Sequence, residues 1–197
     1  MAAQKVPLLQ PAEYLAWEKT QKEKSEYISG EILAMAGASY SHNLVVAEVI
    51  RQFGNALASG DCVVLPSDQK VRIREAGPFF YPDVSVACEP FLDDNSCLRN
   101  PVVIIEVLSA STDHYDRGEK WSHYRRLPSL RHYVLLSQNE PLAEHYSRAS
   151  GEQSIWQFVE LRGPEAVLDL AALSVQVPLS DIYRRLSKDF PEVAVNT

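Results

Sequence analysis

Two acidic residues stand where acids are costly. Asp83 lies in Phe80-Tyr81-Pro82-Asp83-Val84-Ser85-Val86-Ala87, and Glu106 lies in Pro101-Val102-Val103-Ile104-Ile105-Glu106-Val107-Leu108-Ser109. Each is a lone carboxylate in a β-branched, apolar stretch. A buried carboxylate must be hydrogen-bonded, matched by a cation or bound to a metal. If the two stretches are neighbouring strands, both carboxylates converge on one point. That is the usual arrangement for a hard divalent cation such as Mg²⁺.

The elements that must hold these acids can be read from pattern. The Glu106 stretch has no polar alternation, so it is expected to be a central strand covered on both faces. Pro82 is compatible only with a strand entrance or an edge. A helix is expected from about Asp116 to Arg126. Asp116 with Glu119 three residues later forms a capping box, and Pro128 marks the stop. Lys120 then lies one turn into that helix, within reach of the strand end near Glu106. Pairing of an exposed Lys120 with Asp116 at i−4 is the competing reading. The clearest helix starts at Ser39 or Ser41 and runs to about Ala58, with Val46, Val49, Ile50, Phe53 and Leu57 at helical spacing. His42 falls in its first turn, as a hydrogen-bonded helix-start residue or as a catalytic or substrate-contacting one.

Elsewhere, a short helix is expected from Pro11 to about Lys19, and a β-hairpin around Ser29-Gly30 joins Glu26–Ile28 to Glu31–Met35. Asp61–Leu65 and Gln69–Ile73 read as two strands or one bent strand. Arg131–Ser137 reads as another buried strand. Leu142–Ser147 and Ser154–Leu161 then extend the sheet in antiparallel fashion, with Tyr146, Trp156 and Phe158 as packing aromatics. Val167–Val177 adds short strands, Ser180 caps a last helix through Leu186, and the tail from Pro191 is expected to fray.

At 197 residues and 46% hydrophobic content, the chain suffices for one core and one domain. No apolar run reaches the length of a membrane span, and the N-terminus lacks a secretory pattern, so a cytoplasmic protein is expected. Cys62, Cys88 and Cys97 are odd in number and lack C-x-x-C spacing, so buried free thiols are expected. A net charge of −7 excludes a protein coated in positive charge for non-specific nucleic-acid binding, but not a local basic groove. Arg125, Arg126 and Arg131 form one basic cluster and Arg184, Arg185 and Lys188 another, both read as solvated helix faces.

Three motifs resemble the Uma-two endonuclease family of the restriction-endonuclease-like PD-(D/E)xK superfamily. They are Tyr81-Pro82-Asp83-Val84-Ser85-Val86, then Ile105 through Thr112, then Tyr115-Asp116-Arg117-Gly118-Glu119-Lys120-Trp121 with Tyr124-Arg125. The resemblance extends upstream to Glu26, Gly30, Glu31 and His42, and downstream through Pro128–Arg131 and Tyr133–Leu135. It implies an α/β (α+β) fold: a mixed central sheet flanked by helices, with an antiparallel C-terminal extension. Residues 1–197 would form a single domain with its core at about 25–161. The superfamily pattern places a lysine two positions after the glutamate, where this chain has Leu108. The resemblance points instead to Lys120 on the following helix.

The resemblance further implies that Asp83 and Glu106 hold Mg²⁺ or Mn²⁺ and that Lys120 assists the attacking water or the transition state. Glu31 and His42 are candidate substrate contacts or supports behind the metal ligands. The implied partner is nucleic acid, DNA in particular, with a homodimer as a further expectation. Two other readings stay open. A nuclease-fold binding module would keep the fold without cleavage, as Leu108 and the acidic charge suggest. In a purely structural reading, both acids pair with nearby Arg or Lys.

Overall fold

The computed structural model describes residues 9–35, 37–93, 95–149 and 154–186. The tail from Pro191, Lys188 and the turn at Ser150-Gly151-Glu152 lie outside the described residues. In chain order the first half holds α1 (Pro11–Glu18), β1 (Ser25–Ile28), β2 (Glu31–Ala34), α2 (Tyr40–Ala56), β3 (Cys62–Pro66), β4 (Val71–Arg72), β5 (Phe79–Phe80) and β6 (Val84–Cys88). The second half holds β7 (Val103–Leu108), α3 (Asp113–Tyr115), a π-helical turn (Asp116–Lys120), α4 (Trp121–Tyr124), β8 (His132–Ser137), β9 (Leu142–Arg148) and β10 (Trp156–Arg162). The hairpin β11 (Val167–Leu170) and β12 (Val175–Pro178) and the short α5 (Leu179–Ile182) complete it.

The central sheet is mixed, in the order β10-β9-β8-β7-β6-β3. β7 pairs antiparallel with β6 and parallel with β8. A parallel connection needs a crossover, which the helical segment 113–124 supplies. All six residues of β7 are buried, as a strand without polar alternation requires. Val103, Ile105 and Val107 pack on the α2 side with Val45, Val49 and Phe53. Ile104 and Leu108 face the crossover side with Tyr124, Leu130 and Tyr133.

A second, four-stranded sheet runs β2-β1-β5-β4. Its β1–β2 hairpin turns at Ser29 and Gly30, both in the left-handed region (φ 51° and 99°) that a tight two-residue turn demands. The stretch from Phe80 to Ala87 divides between the two sheets. β5 pairs with β1 and β4, β6 pairs with β7, and Pro82-Asp83 is the joint. The 61–65 and 69–73 stretches likewise serve different sheets, as β3 and β4.

Three expectations are corrected. The crossover helix starts at Asp113, because Ser109 O already accepts the Thr112 and Asp113 N–H groups (3.2 and 3.0 Å), so Asp116 is not a cap but a buried member of the π-helical turn. The last helix is only Leu179–Ile182, preceded by Pro178 rather than capped by Ser180. Cys62 and Cys88 are disulfide-bonded rather than free, because the β3–β6 register sets them directly opposite each other; Cys97 is a buried free thiol. Among the described residues, no helix is long and apolar enough to cross a membrane.

Candidate functional site

The antiparallel register of β6 and β7, with Val84 opposite Ile105, brings Asp83 beside Glu106. The two acids are cross-linked through the backbone. Asp83 N–H donates to Glu106 Oε2 (3.3 Å), and Val107 N–H donates to Asp83 Oδ2 (2.7 Å). His42 Nε2 donates to the same Oδ2 at 3.1 Å. The α2 start fixes this histidine, since Ser39 Oγ caps the helix by accepting the His42 N–H at 3.1 Å.

Behind these acids sits Lys120. Its Nζ lies 3.1 Å from Glu106 Oε1, 3.3 Å from Glu26 Oε1 and 3.3 Å from Asp116 Oδ1. One ammonium, with three donors, therefore faces three carboxylates. The helical segment brings Asp116 and Lys120, four residues apart, onto one inward face; such π-turns recur at functional sites. Glu26 comes from β1 of the other sheet and ties the surrounding elements together. It accepts the Tyr81 N–H (3.0 Å), one step before Pro82-Asp83, and the Tyr115 hydroxyl (2.9 Å). Tyr124 donates its hydroxyl to Glu106 Oε1 at 3.2 Å.

The cluster has an open side and a closed one. The side chains of Asp83 and His42 are 18% and 12% exposed, whereas those of Glu106, Lys120, Glu26 and Asp116 are between 3% and 8%. Four carboxylates thus share one lysine and one histidine in a largely water-free setting. Burial holds the Glu106 carboxyl well above the usual range; Lys120 opposes that shift, while Asp116, Asp83 and Glu26 add to it. Asp116 is also raised, first by burial. Burial works against the Lys120 charge, but Glu106, Glu26, Asp116 and Asp83 outweigh it and hold the ammonium well above its ordinary value. Burial likewise opposes the His42 charge, and Asp83 reverses the direction to a raised value.

Such a site is short of positive charge and has one hard oxygen donor group, the Asp83 carboxylate, on its open side with Glu106 beside it. Among the described residues, no three His, Cys, Asp or Glu side chains are grouped so as to hold a metal ion. Mg²⁺ needs no such cage. It dehydrates reluctantly, keeps several waters and is commonly held by one or two carboxylates. The Asp83–Glu106 pair fits that requirement.

Of the residues singled out in the sequence, Asp83, Glu106, Lys120 and His42 come together. Glu31 does not; it is exposed at the start of β2, opposite Ile28, and the cluster's bonds described above do not involve it. Glu26 and Asp116 were not among the site candidates. The signal for Glu26 was its place among the residues to which the family resemblance extends upstream; its burial in β1 appears only in the fold. A crevice of about 240 Å³ at the C-terminal ends of β7 and β8 is lined by Leu108, Ser109, Asp113, Arg117, Ser137 and Gln138, among others. A larger hollow of about 870 Å³, between α1 and the loop carrying Phe91 and Arg99, includes none of the cluster residues.

Comparison with known proteins agrees with this architecture. The Uma2 family model, described as "Putative restriction endonuclease", matches residues 11–180. The uncharacterized protein slr1290 of Synechocystis sp. is 36% identical over 183 residues, covering 92% of this chain and 94% of that protein. A second Synechocystis protein, the uncharacterized sll1609, is 37% identical over 171 residues, covering 85% and 96%. A crystal structure from Anabaena variabilis, described as a putative nuclease belonging to DUF820, superposes with a TM-score of 0.73 at 15% identity, covering 91% of this chain and 99% of that one.

Proposed function

The chain belongs to the Uma2 family, and from that membership and the acid-rich cluster we propose a metal-dependent endonuclease that hydrolyses phosphodiester bonds of DNA. The observation that carries the proposal is the Lys120 ammonium 3.1 Å from Glu106, with Asp83 alongside. It supplies from the helix the cation missing at Leu108.

Phosphodiester hydrolysis needs an activated water, neutralisation of charge at the phosphorus and a stabilised leaving oxygen. Asp83 and Glu106 would hold Mg²⁺ or Mn²⁺, which when bound would polarise the phosphate and acidify a water. Asp83 faces the open side and meets substrate first. His42 keeps its carboxylate turned toward Glu106. Lys120 remains charged and fixed, positioned to orient the water or offset negative charge growing on the phosphate. Glu26 and Asp116 hold that ammonium in place. A homodimer would present two such sites to the two strands of a duplex, whose two-fold symmetry it would match.

The test is cleavage of supercoiled plasmid and single-stranded DNA, with Mg²⁺ or Mn²⁺ and with chelator, by wild type, Asp83→Asn, Glu106→Gln and Lys120→Ala. The expected result is metal-dependent cutting lost in all three variants. Loss in the two acid variants alone would remove Lys120 from the chemistry. Absence of cutting by a wild type shown to bind metal would favour a binding module instead.

A further inference from the structure

We propose that two copies of this chain pair antiparallel through their β10 strands, about a two-fold axis at Phe158, and so join two six-stranded sheets into one. The inference does not depend on the nuclease reading.

The two edges of the central sheet are unlike. β3 has five residues and closes on Pro66, which has no N–H to offer. β10 has seven, paired without a bulge from Trp156↔Arg148 to Arg162↔Leu142. Two bonds fix the phase of that ladder: Ala149 N–H to Ile155 O (3.0 Å) and Gly163 N–H to Pro141 O (2.8 Å). In an antiparallel ladder, bonded and non-bonded pairs alternate. Ile155, Gln157, Val159, Leu161 and Gly163 therefore turn their main-chain groups toward β9. Trp156, Phe158, Glu160 and Arg162 turn theirs outward.

Natural sheets guard such an edge with proline, a bulge or charged side chains, lysine above all. Between Trp156 and Arg162 there is no proline, bulge or lysine, and the two charged residues, Glu160 and Arg162, pair with each other at 3.4 Å. Apolar side chains are exposed here instead: Ile155 at 51%, Phe158 at 53% and Val159 at 48%.

The strand is complementary to itself. With the axis at Phe158, the outward-facing residues pair as Phe158 with Phe158 and Trp156 with Glu160, so main-chain donors meet acceptors. On the other sheet face, Ile155 meets Leu161 and Gln157 meets Val159. This register sets no like charges opposite each other. The Arg148 guanidinium, which donates to Leu130 O, Arg125 O and Leu127 O, covers one side of the Trp156 ring at 4.4 Å from its centre, and the second copy's Glu160 would arrive on the other side of that ring. An axis at Glu160 would set two carboxylates against each other, which is unfavourable.

Sedimentation equilibrium of the full chain over a range of concentrations tests the inference. Wild type is expected to approach twice the monomer mass by about 100 µM, a level at which contacts of even modest affinity are populated. Phe158→Lys, which sets two ammonium groups face to face at the axis, should weaken association at least about tenfold, and more than Phe158→Ala, which loses the same ring contact with Tyr146 (centroids 5.0 Å apart) without adding charge. Under mild oxidation, Phe158→Cys should form a covalent dimer and Val63→Cys, on the β3 edge, should not. A wild type that stays monomeric, a Phe158→Lys variant that dimerises as well as wild type, or equal cross-linking of the two cysteine variants would each overturn the proposal.

Discussion

Glu48 and Glu106 are the same residue type, buried to the same degree (3% and 2% exposed), in opposite electrostatic surroundings. Glu48, on α2, is met by three arginines: Arg51 at 2.8 Å, Arg184 at 3.1 Å and Arg185 at 2.6 Å. Burial raises its carboxyl, but Arg51 and Arg184 outweigh burial and hold it below the usual range. Glu106 shares one lysine with Glu26 and Asp116, and its carboxyl is pushed up. Charge is over-matched at the first site, which fastens the segment after α5 to α2. It is under-matched at the second, where the proposed cation would bind. Burial alone does not tell the two glutamates apart; the sign of the local imbalance does.

The largest effect should come from deepening the imbalance. Lys120→Met leaves Glu26, Glu106 and Asp116 without their shared cation and should lower unfolding free energy by about 3–5 kcal/mol. Chemical denaturation would show it, and added Mg²⁺ or Mn²⁺ should restore part of the loss. Equal stability of variant and wild type would contradict the charge account.

A control for charge and burial lies elsewhere in the sheet. His132 Nδ1 and His145 Nε2 are 2.9 Å apart, and Ala172 N–H donates to His132 Nε2, which leaves His132 Nδ1–H as the donor to His145. Burial pushes both down to about 4, with His145 adding to the shift of His132. Their folded-state values lie below the unfolded value of 6.5, so the unfolded chain takes up these protons first. Their contribution is complete above about pH 6.5 and is lost as pH falls toward 4, on the order of 3 kcal/mol for each histidine. His132→Gln with His145→Gln should flatten the melting temperature over that window; an unchanged slope would contradict it.

The smallest effects separate the two glutamates by sign. Glu48→Gln should destabilise by about 2 kcal/mol, because three partly exposed arginines lose their shared acceptor. Glu106→Gln should be neutral or stabilising by about 1 kcal/mol without metal, since it removes one of four crowded carboxylates while Lys120 keeps Glu26 and Asp116. Thermal melts without divalent ions would check both, and destabilisation by both would erase the contrast.

Much of this site was legible in the sequence, for stated reasons. Asp83 and Glu106 each interrupt an apolar strand, a costly pattern that invites explanation. Helix geometry left Lys120 between an exposed pair with Asp116 and a reach to Glu106, and the family resemblance pointed to the second; the mixed sheet likewise followed from the resemblance. Glu26 was hidden because its contact with Lys120 joins two sheets, and nothing local tells which hairpin covers which strand end. Asp116 looked like a cap because acids favour helix starts, and only the Ser109–Asp113 turn moves that start upstream. The Phe80–Ala87 stretch reads as one strand because side-chain pattern does not show the change of partner at Pro82-Asp83. The Cys62–Cys88 bond depends on a β3–β6 register that their spacing of 26 residues does not reveal.

The central claim is that the Glu106 cluster is short of positive charge and takes a divalent cation through Asp83 and Glu106. Calorimetric titration of Mn²⁺ into wild type, Asp83→Asn, Glu106→Gln and Glu48→Gln tests it most directly. Binding by wild type and Glu48→Gln, weakened at least about tenfold in both site variants, a loss of roughly 1.4 kcal/mol or more, is the predicted result. Equal affinity across all four proteins, or no binding by wild type, would contradict it.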